Sequence, residues 1–170
     1  RYSEAQDAFE HALSLNSDEV DPWVGHGHAL AGQERHEEAL EDFNQALARD
    51  PTDALIWISR GHSLTEMGHH DEALSAYEHA IALEPDEPSG WLGKGDALSD
   101  LDRLDDALAA YDRALWLDGE DVDGWIKRGD TLSALDRPEE ALPAYERALA
   151  LDAEEPDAWT GLADALADLD

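Results

Sequence analysis

His28 and His62 stand one 34-residue interval apart, and Glu66 lies four places beyond His62. Four residues are one helical turn, so imidazole and carboxylate share a face there, as in the beginnings of a zinc site. Zinc takes three or four converging ligands, and no third donor falls at a spacing that would supply one, so no metal is expected. The chain has no cysteine, which removes disulfides, thiolate ligands and a thiol nucleophile together. The stretch Asp118-Gly119-Glu120-Asp121-Val122-Asp123-Gly124 has the acidity of a calcium loop without its Asp-x-Asp-x-Asp-Gly register, and is expected to be a turn. Gly25-His26-Gly27 and Gly93-Lys94-Gly95 follow no strand and lack the third glycine of a phosphate-binding loop. Asp96 and Asp100 are one turn apart, but nothing around them separates their pKa values as acid–base catalysis requires. The sequence therefore predicts no catalytic residue, no cofactor and no enzyme activity.

What must position these side chains is a set of short amphipathic helices. Trp23, Trp57, Trp91, Trp125 and Trp159 recur every 34 residues. Four places after each come Gly27, Gly61, Gly95, Gly129 and Ala163, and seven after come Leu30, Leu64, Leu98, Leu132 and Leu166. These spacings define one face of a first helix. Ala39, Ala73, Ala107 and Ala141, then Phe43, Tyr77, Tyr111 and Tyr145, then Ala46, Ala80, Ala114 and Ala148 define one face of a second. The segment before Trp23 follows the second-helix rule with Ala5, Phe9 and Ala12. Pro22, Pro88 and Pro156 are expected at first helical positions, and Pro51 and Pro85 after helix ends. Arg35, His69, Arg103 and Arg137 are expected near the end of the first helix, where a cation suits the dipole. Pro143 falls inside a second helix and predicts a local kink.

This pattern resembles the tetratricopeptide repeat family along the whole chain. The resemblance implies an all-α fold, a right-handed α-solenoid of antiparallel helix hairpins with about ten helices. The chain is then one array over 1–170: the second helix of a truncated repeat at 1–19, full repeats at 20–53, 54–87, 88–121 and 122–155, and the first helix of a truncated repeat at 156–170. Solenoid ends need polar caps, so the chain is read as a piece of a longer array.

The charge bounds the partners. Forty-two acidic side chains face 11 basic ones, a formal net charge of −31. Nucleic acid and anionic membranes need clustered Lys and Arg, so neither is expected. Disorder is excluded by the 42% of hydrophobic residues and their strict order. Only Lys94 and Lys127 represent lysine, a bias that resembles proteins of halophiles with a salt-rich cytoplasm, where screening removes the repulsion. That cytoplasm is the expected location.

The resemblance also places a ligand surface on the first helices. The near row is Val24, Ile58, Leu92, Ile126 and Thr160, an expected apolar floor, and the far row is His28, His62, Asp96, Asp130 and Asp164. Family members that grip a terminal carboxylate use Lys, Arg and Asn in the groove, and none stands in these rows. The expected function is a non-catalytic scaffold for protein–protein interaction, holding a peptide or protein segment of basic or amphipathic character. Head-to-tail self-association of the array is one alternative; another is service as the targeting arm of a larger enzyme or sensor. Trp116 lies outside the repeat rule, and is expected to pack over a neighbouring turn.

Overall fold

A computed structural model describes the backbone of residues 2–169 and the side chains of residues 4–169. Among these residues there are ten α-helices and no strand: α1 (Tyr2–Leu15), α2 (Val20–Ala31), α3 (His36–Arg49), α4 (Ala54–Glu66), α5 (His70–Leu83), α6 (Pro88–Asp100), α7 (Leu104–Leu117), α8 (Val122–Ala134), α9 (Pro138–Leu151) and α10 (Pro156–Ala167). They divide into two compact units, residues 1–85 and 86–170. In the first unit α2 pairs with α3 and α4 with α5, while α1 packs on α2 and α3 on α4. In the second, α6 pairs with α7 and α8 with α9, α7 packs on α8, and α10 packs on α9 and α8.

Each hairpin closes on an aromatic ring that presses against a glycine. Phe43, Tyr77, Tyr111 and Tyr145 are almost wholly buried. A β-carbon at Gly27 would lie 2.8 Å from the Phe43 ring, one at Gly61 2.7 Å from Tyr77, and one at Gly129 2.6 Å from Tyr145; Gly95 faces Tyr111 even more closely. The missing side chain is what lets the two helices of a hairpin approach. Around this contact Leu30, Ala39, Ala46, Leu47 and Ile56 form the core where α2, α3 and α4 meet. Leu108, Leu132, Ala141 and Ala165 repeat it around Tyr145.

The turns explain the polar positions. Leu30, Leu64, Leu98 and Leu132 offer their carbonyls to the backbone N–H of Arg35, His69, Arg103 and Arg137, which closes the first helix over a left-handed residue. That residue is Glu34, Gly68, Asp102 or Asp136, with φ between 58° and 75°. The cations themselves sit at the N-caps of the second helices, not at the ends of the first. Their side chains reach the acidic residue three places on: Arg35 to Glu38 at 2.7 Å, Arg103 to Asp106 at 2.7 Å and Arg137 to Glu140 at 2.7 Å. Those acids lie in a first helical turn, where the dipole favours them, so the cation is positioned by its partner rather than by the dipole. Between hairpins, the indole N–H of Trp23, Trp57, Trp125 and Trp159 donates to the carbonyl six residues earlier, at 2.9–3.1 Å. Trp23, Trp57 and Trp125 thus pack against the core and pin the loop together, while Trp159 pins its loop and stays more than half exposed.

Pro88 and Pro156 open their helices, whereas α2 begins at Val20 and places Pro22 third. The first turn tolerates it because the early N–H groups have no intrahelical acceptor. α9 runs through Pro143 as one helix. The missing N–H leaves the Glu139 carbonyl without its intrahelical donor, and an interior proline costs about 3 kcal/mol. The preceding repeat has Ala109 at this place, on an exposed face. Pro143→Ala is therefore expected to stabilise the protein by about 2–3 kcal/mol, read as a higher midpoint in urea. An unchanged midpoint would show that α9 has no deficit to repair.

Candidate functional site

The candidate surface is carried by the first helices, and each unit presents its own portion. The near row does not form an open floor. Ile58 and Ile126 are buried, Val24 and Leu92 are half-buried, and only Thr160 is exposed. Val24 packs on the Phe43 cluster, and Ile126 lies against Ala148 and Ala158. Thr160 turns its hydroxyl back to the Pro156 carbonyl, 3.0 Å away. Apolar contact for a ligand is consequently narrower than the row of residue types suggests.

The far row is the more informative one, because its first four members, His28, His62, Asp96 and Asp130, each meet the aromatic residue fifteen places on in their own hairpin. His28 lies 5.3 Å from the Phe43 ring and His62 5.7 Å from the Tyr77 ring, both tilted. In the second unit the tyrosine hydroxyls donate to carboxylates instead: Tyr111 to Asp96 at 2.8 Å and Tyr145 to Asp130 at 2.8 Å. Partial burial, and then the neighbouring carboxylate, pushes both phenols up. Desolvation raises the Asp130 carboxyl above its ordinary value although the Tyr145 hydroxyl pulls it back. Burial lowers His28.

A second contact links adjacent first helices at a spacing of 31 residues. His28 Nε2 lies 2.9 Å from the Ser59 hydroxyl. At the equivalent place Lys127 Nζ lies 3.0 Å from Asp96, and 3.7 Å from Asp123 one turn before it. Burial alone would pull this ammonium down, but the two carboxylates outweigh it and hold Lys127 above its ordinary value. The rule that picks out the tryptophans does not flag Lys127. Its signal was composition: it is one of two lysines, and it stands where other repeats have Gly25, Ser59, Gly93 and Gly161. Asp157 and Asp123 stand two places before a tryptophan; Asp123, expected in the acidic turn, lies instead in the first turn of α8.

Next to this pair lies a cleft of about 440 Å³ in the second unit, walled by Asp130, Asp157 and Asp164 with Ile126, Tyr145 and Gly161. It brings Asp130, Asp164, Ile126 and Thr160 from the two expected rows together. His28 and His62 are in the other unit and serve no cluster: among the described residues no three His, Asp or Glu side chains converge as metal ligands would. Asp118 and Asp121 accept backbone N–H groups of Glu120 and Gly124, so the acidic stretch forms a turn and an N-cap in which these two carboxylates serve their own chain.

Models of the tetratricopeptide repeat match residues 1–54, 58–121 and 122–165. The chain belongs to the tetratricopeptide repeat family. Its fold is similar to that of MamA from Desulfovibrio magneticus, at a TM-score of 0.83 and 19% identity over 91% of this chain and 88% of that one. A thermophilic tetratricopeptide protein of Thermus thermophilus gives 0.81 and 22%, covering 98% and 91%. YrrB, described as having an unusual peptide-binding site, gives 0.78 and 23%, covering 96% and 84%. No curated protein matches the sequence. The tetratricopeptide fold class is the all-α solenoid, and its members are in general non-catalytic scaffolds for protein partners. Among the described residues no helix is long and apolar enough to cross a membrane.

Two further surfaces differ from the repeat rule. Trp116 is 71% exposed and meets the preceding turn of α7 only through Arg113, whose guanidinium lies 4.2 Å from its ring centre. The cation before three of the repeat glycines lies over the tryptophan of its own helix, Arg60 over Trp57, Lys94 over Trp91 and Arg128 over Trp125, whereas His26 bonds Asp42 instead. Long stems cover apolar surface while the heads find polar partners, Asn44 for Arg60 and Asp112 for Arg128.

Proposed function

We propose that this tetratricopeptide array holds a basic or amphipathic peptide segment along its first helices, with the carboxylates of α8 and α10 as the principal contacts. The observation that carries the reading is the cleft that gathers Asp130, Asp157 and Asp164 beside buried aliphatic and aromatic side chains. Carboxylates there attract cationic residues and repel acidic competitors, while the apolar edge gives a helical peptide its anchors. Capture from a random peptide library in molar KCl tests it. Wild type is expected to enrich peptides with Lys or Arg beside Leu or Ile. The Asp130→Asn, Asp164→Asn double variant is expected to lose about tenfold in affinity, since a charge-assisted contact contributes roughly 1.5–3 kcal/mol. Asp96 is left intact because it holds Lys127. Equal capture by both proteins would reduce the acidity to an adaptation to salt.

That adaptation is the second part of the reading: the charge of −31 and the scarcity of lysine fit a salt-rich cytoplasm. Self-association of arrays is a separate reading, favoured by the exposure of Trp159, Leu166 and Leu169 on and just after α10. It predicts growth in sedimentation coefficient with protein concentration in high salt.

A further inference from the structure

Lys127 shows what the groove does with an ammonium group. Its Nζ lies between Asp96 on α6 and Asp123 on α8, one carboxylate from each of two neighbouring first helices. One repeat further on, the same two carboxylate positions recur as Asp130 on α8 and Asp157 on α10, each 34 residues later. The position of Lys127 is then Gly161. The frame of the ion pair is repeated and its cation is not. The cleft described above lies at that place, with Asp164 as a third carboxylate.

The chain cannot readily fill the position itself. A β-carbon on Gly161 would collide with the Tyr145 ring. That ring is held by the hydroxyl bond to Asp130 and by its burial in the α8/α9 hairpin. Lys127 borders the cleft, but its ammonium is engaged with Asp96 and Asp123. Asp157 and Asp164 make no ion pair among the described residues. Ile126 and Tyr145 line the cleft and supply apolar wall for an alkyl stem, as suits the half-buried side chain of Lys127 in its own slot.

We propose that the cleft between α8 and α10 is a slot for a primary alkylammonium, the tip of a lysine side chain on the bound segment, held between Asp130 and Asp157 as Lys127 is held between Asp96 and Asp123. This rests on the peptide-groove reading and names the residue that the groove selects at one place. A compact ammonium suits a pair of carboxylates approached along an alkyl stem, whereas the planar guanidinium of arginine is wider and prefers a bidentate partner.

The test is a titration of the full chain, followed by ¹H–¹⁵N correlation spectra at constant KCl, with N-acetyl-lysinamide and its norleucine and arginine counterparts. Expected is saturable movement of the Thr160 and Gly161 amides with the lysine probe, weaker binding of the arginine probe and none of the norleucine probe. Asp130→Asn with Asp157→Asn is expected to weaken lysine binding about tenfold or more. Lys127→Ala opens the template slot, so a second set of shifts should appear around Asp96 and Asp123 and the stoichiometry should rise from one to two. That gain does not depend on the folding of the asparagine variant. Equal response to lysine and norleucine, or one site in both wild type and Lys127→Ala, would overturn the slot. If library peptides still bind the groove in that case, peptide recognition stands and only the ammonium assignment falls. If the lysine probe binds and no peptide does, the slot stands and the groove reading fails.

Discussion

Raising KCl from about 0.1 M to about 1 M is expected to increase the melting temperature by about 10 °C, with a parallel gain in helicity at fixed temperature. The reason lies in the spacing of like charges. Glu37 and Glu41, and Glu38 and Asp42, are each one turn apart on α3, and such pairs destabilise a helix by roughly 0.2–0.5 kcal/mol apiece. With the longer-range repulsion of a net charge of −31 on top, the sum is several kcal/mol at low salt. The Debye length falls over this range from about 10 Å to about 3 Å, which is shorter than the spacing of these pairs. A melting temperature that stays flat would sink the reading of the composition as salt adaptation. Acid should act in the same direction at low salt. Asp42 is raised by its burial, and partial burial raises Asp123 and Asp130. A folded pKa above the unfolded one means that the native state binds the proton more readily. These groups therefore add stability as pH falls from neutrality towards the ordinary carboxylate range, and that stability is lost as pH rises through their raised values. Glu38 and Glu140, lowered by their arginines, oppose this weakly because their pairs are exposed.

Gly61→Val is expected to cost about 3 kcal/mol or more, at the upper end of what overpacking a close helix contact does. The added carbons must enter the space of the Tyr77 ring, 2.7 Å from the first of them. That ring is 1% exposed, so it has no free space to withdraw into without opening the α4/α5 hairpin. The repeat itself supplies the control. Ala163 holds the same repeat position on α10 and is exposed, so Ala163→Val should cost no more than the roughly 0.5 kcal/mol of β-branched helix propensity. Urea titrations of both variants measure the contrast. Similar losses would mean that the glycine matters for the backbone of its own helix and not for the ring against it.

The helices were legible because a single face repeats every 34 residues. The two faces that meet were legible as well, but that the Tyr77 ring presses on Gly61 of its own hairpin was not, because it depends on how closely the two helices approach. The candidate surface was only half legible. Residue type placed Ile58 and Ile126 on the groove side, but how deeply a side chain sits depends on how closely the next helix packs, and both are buried. The pairing of Asp96 with Lys127 was out of reach for a similar reason: it spans 31 residues and exists only once one hairpin rests on another. Arg35, Arg103 and Arg137 were misplaced by one element, because their backbones end one helix while their side chains serve the next.

The tryptophans have a consequence for observation. Each of Trp23, Trp57, Trp125 and Trp159 is bonded through its indole to the loop that joins its hairpin to the preceding helix. Emission from each is tied to the integrity of one junction, so the protein carries its own fluorophores at the seams where an array comes apart. Replacing all but one with phenylalanine would let each seam be watched separately as the chain unfolds. Trp116, standing in water under Arg113, supplies the solvent-exposed reference against which those signals are read.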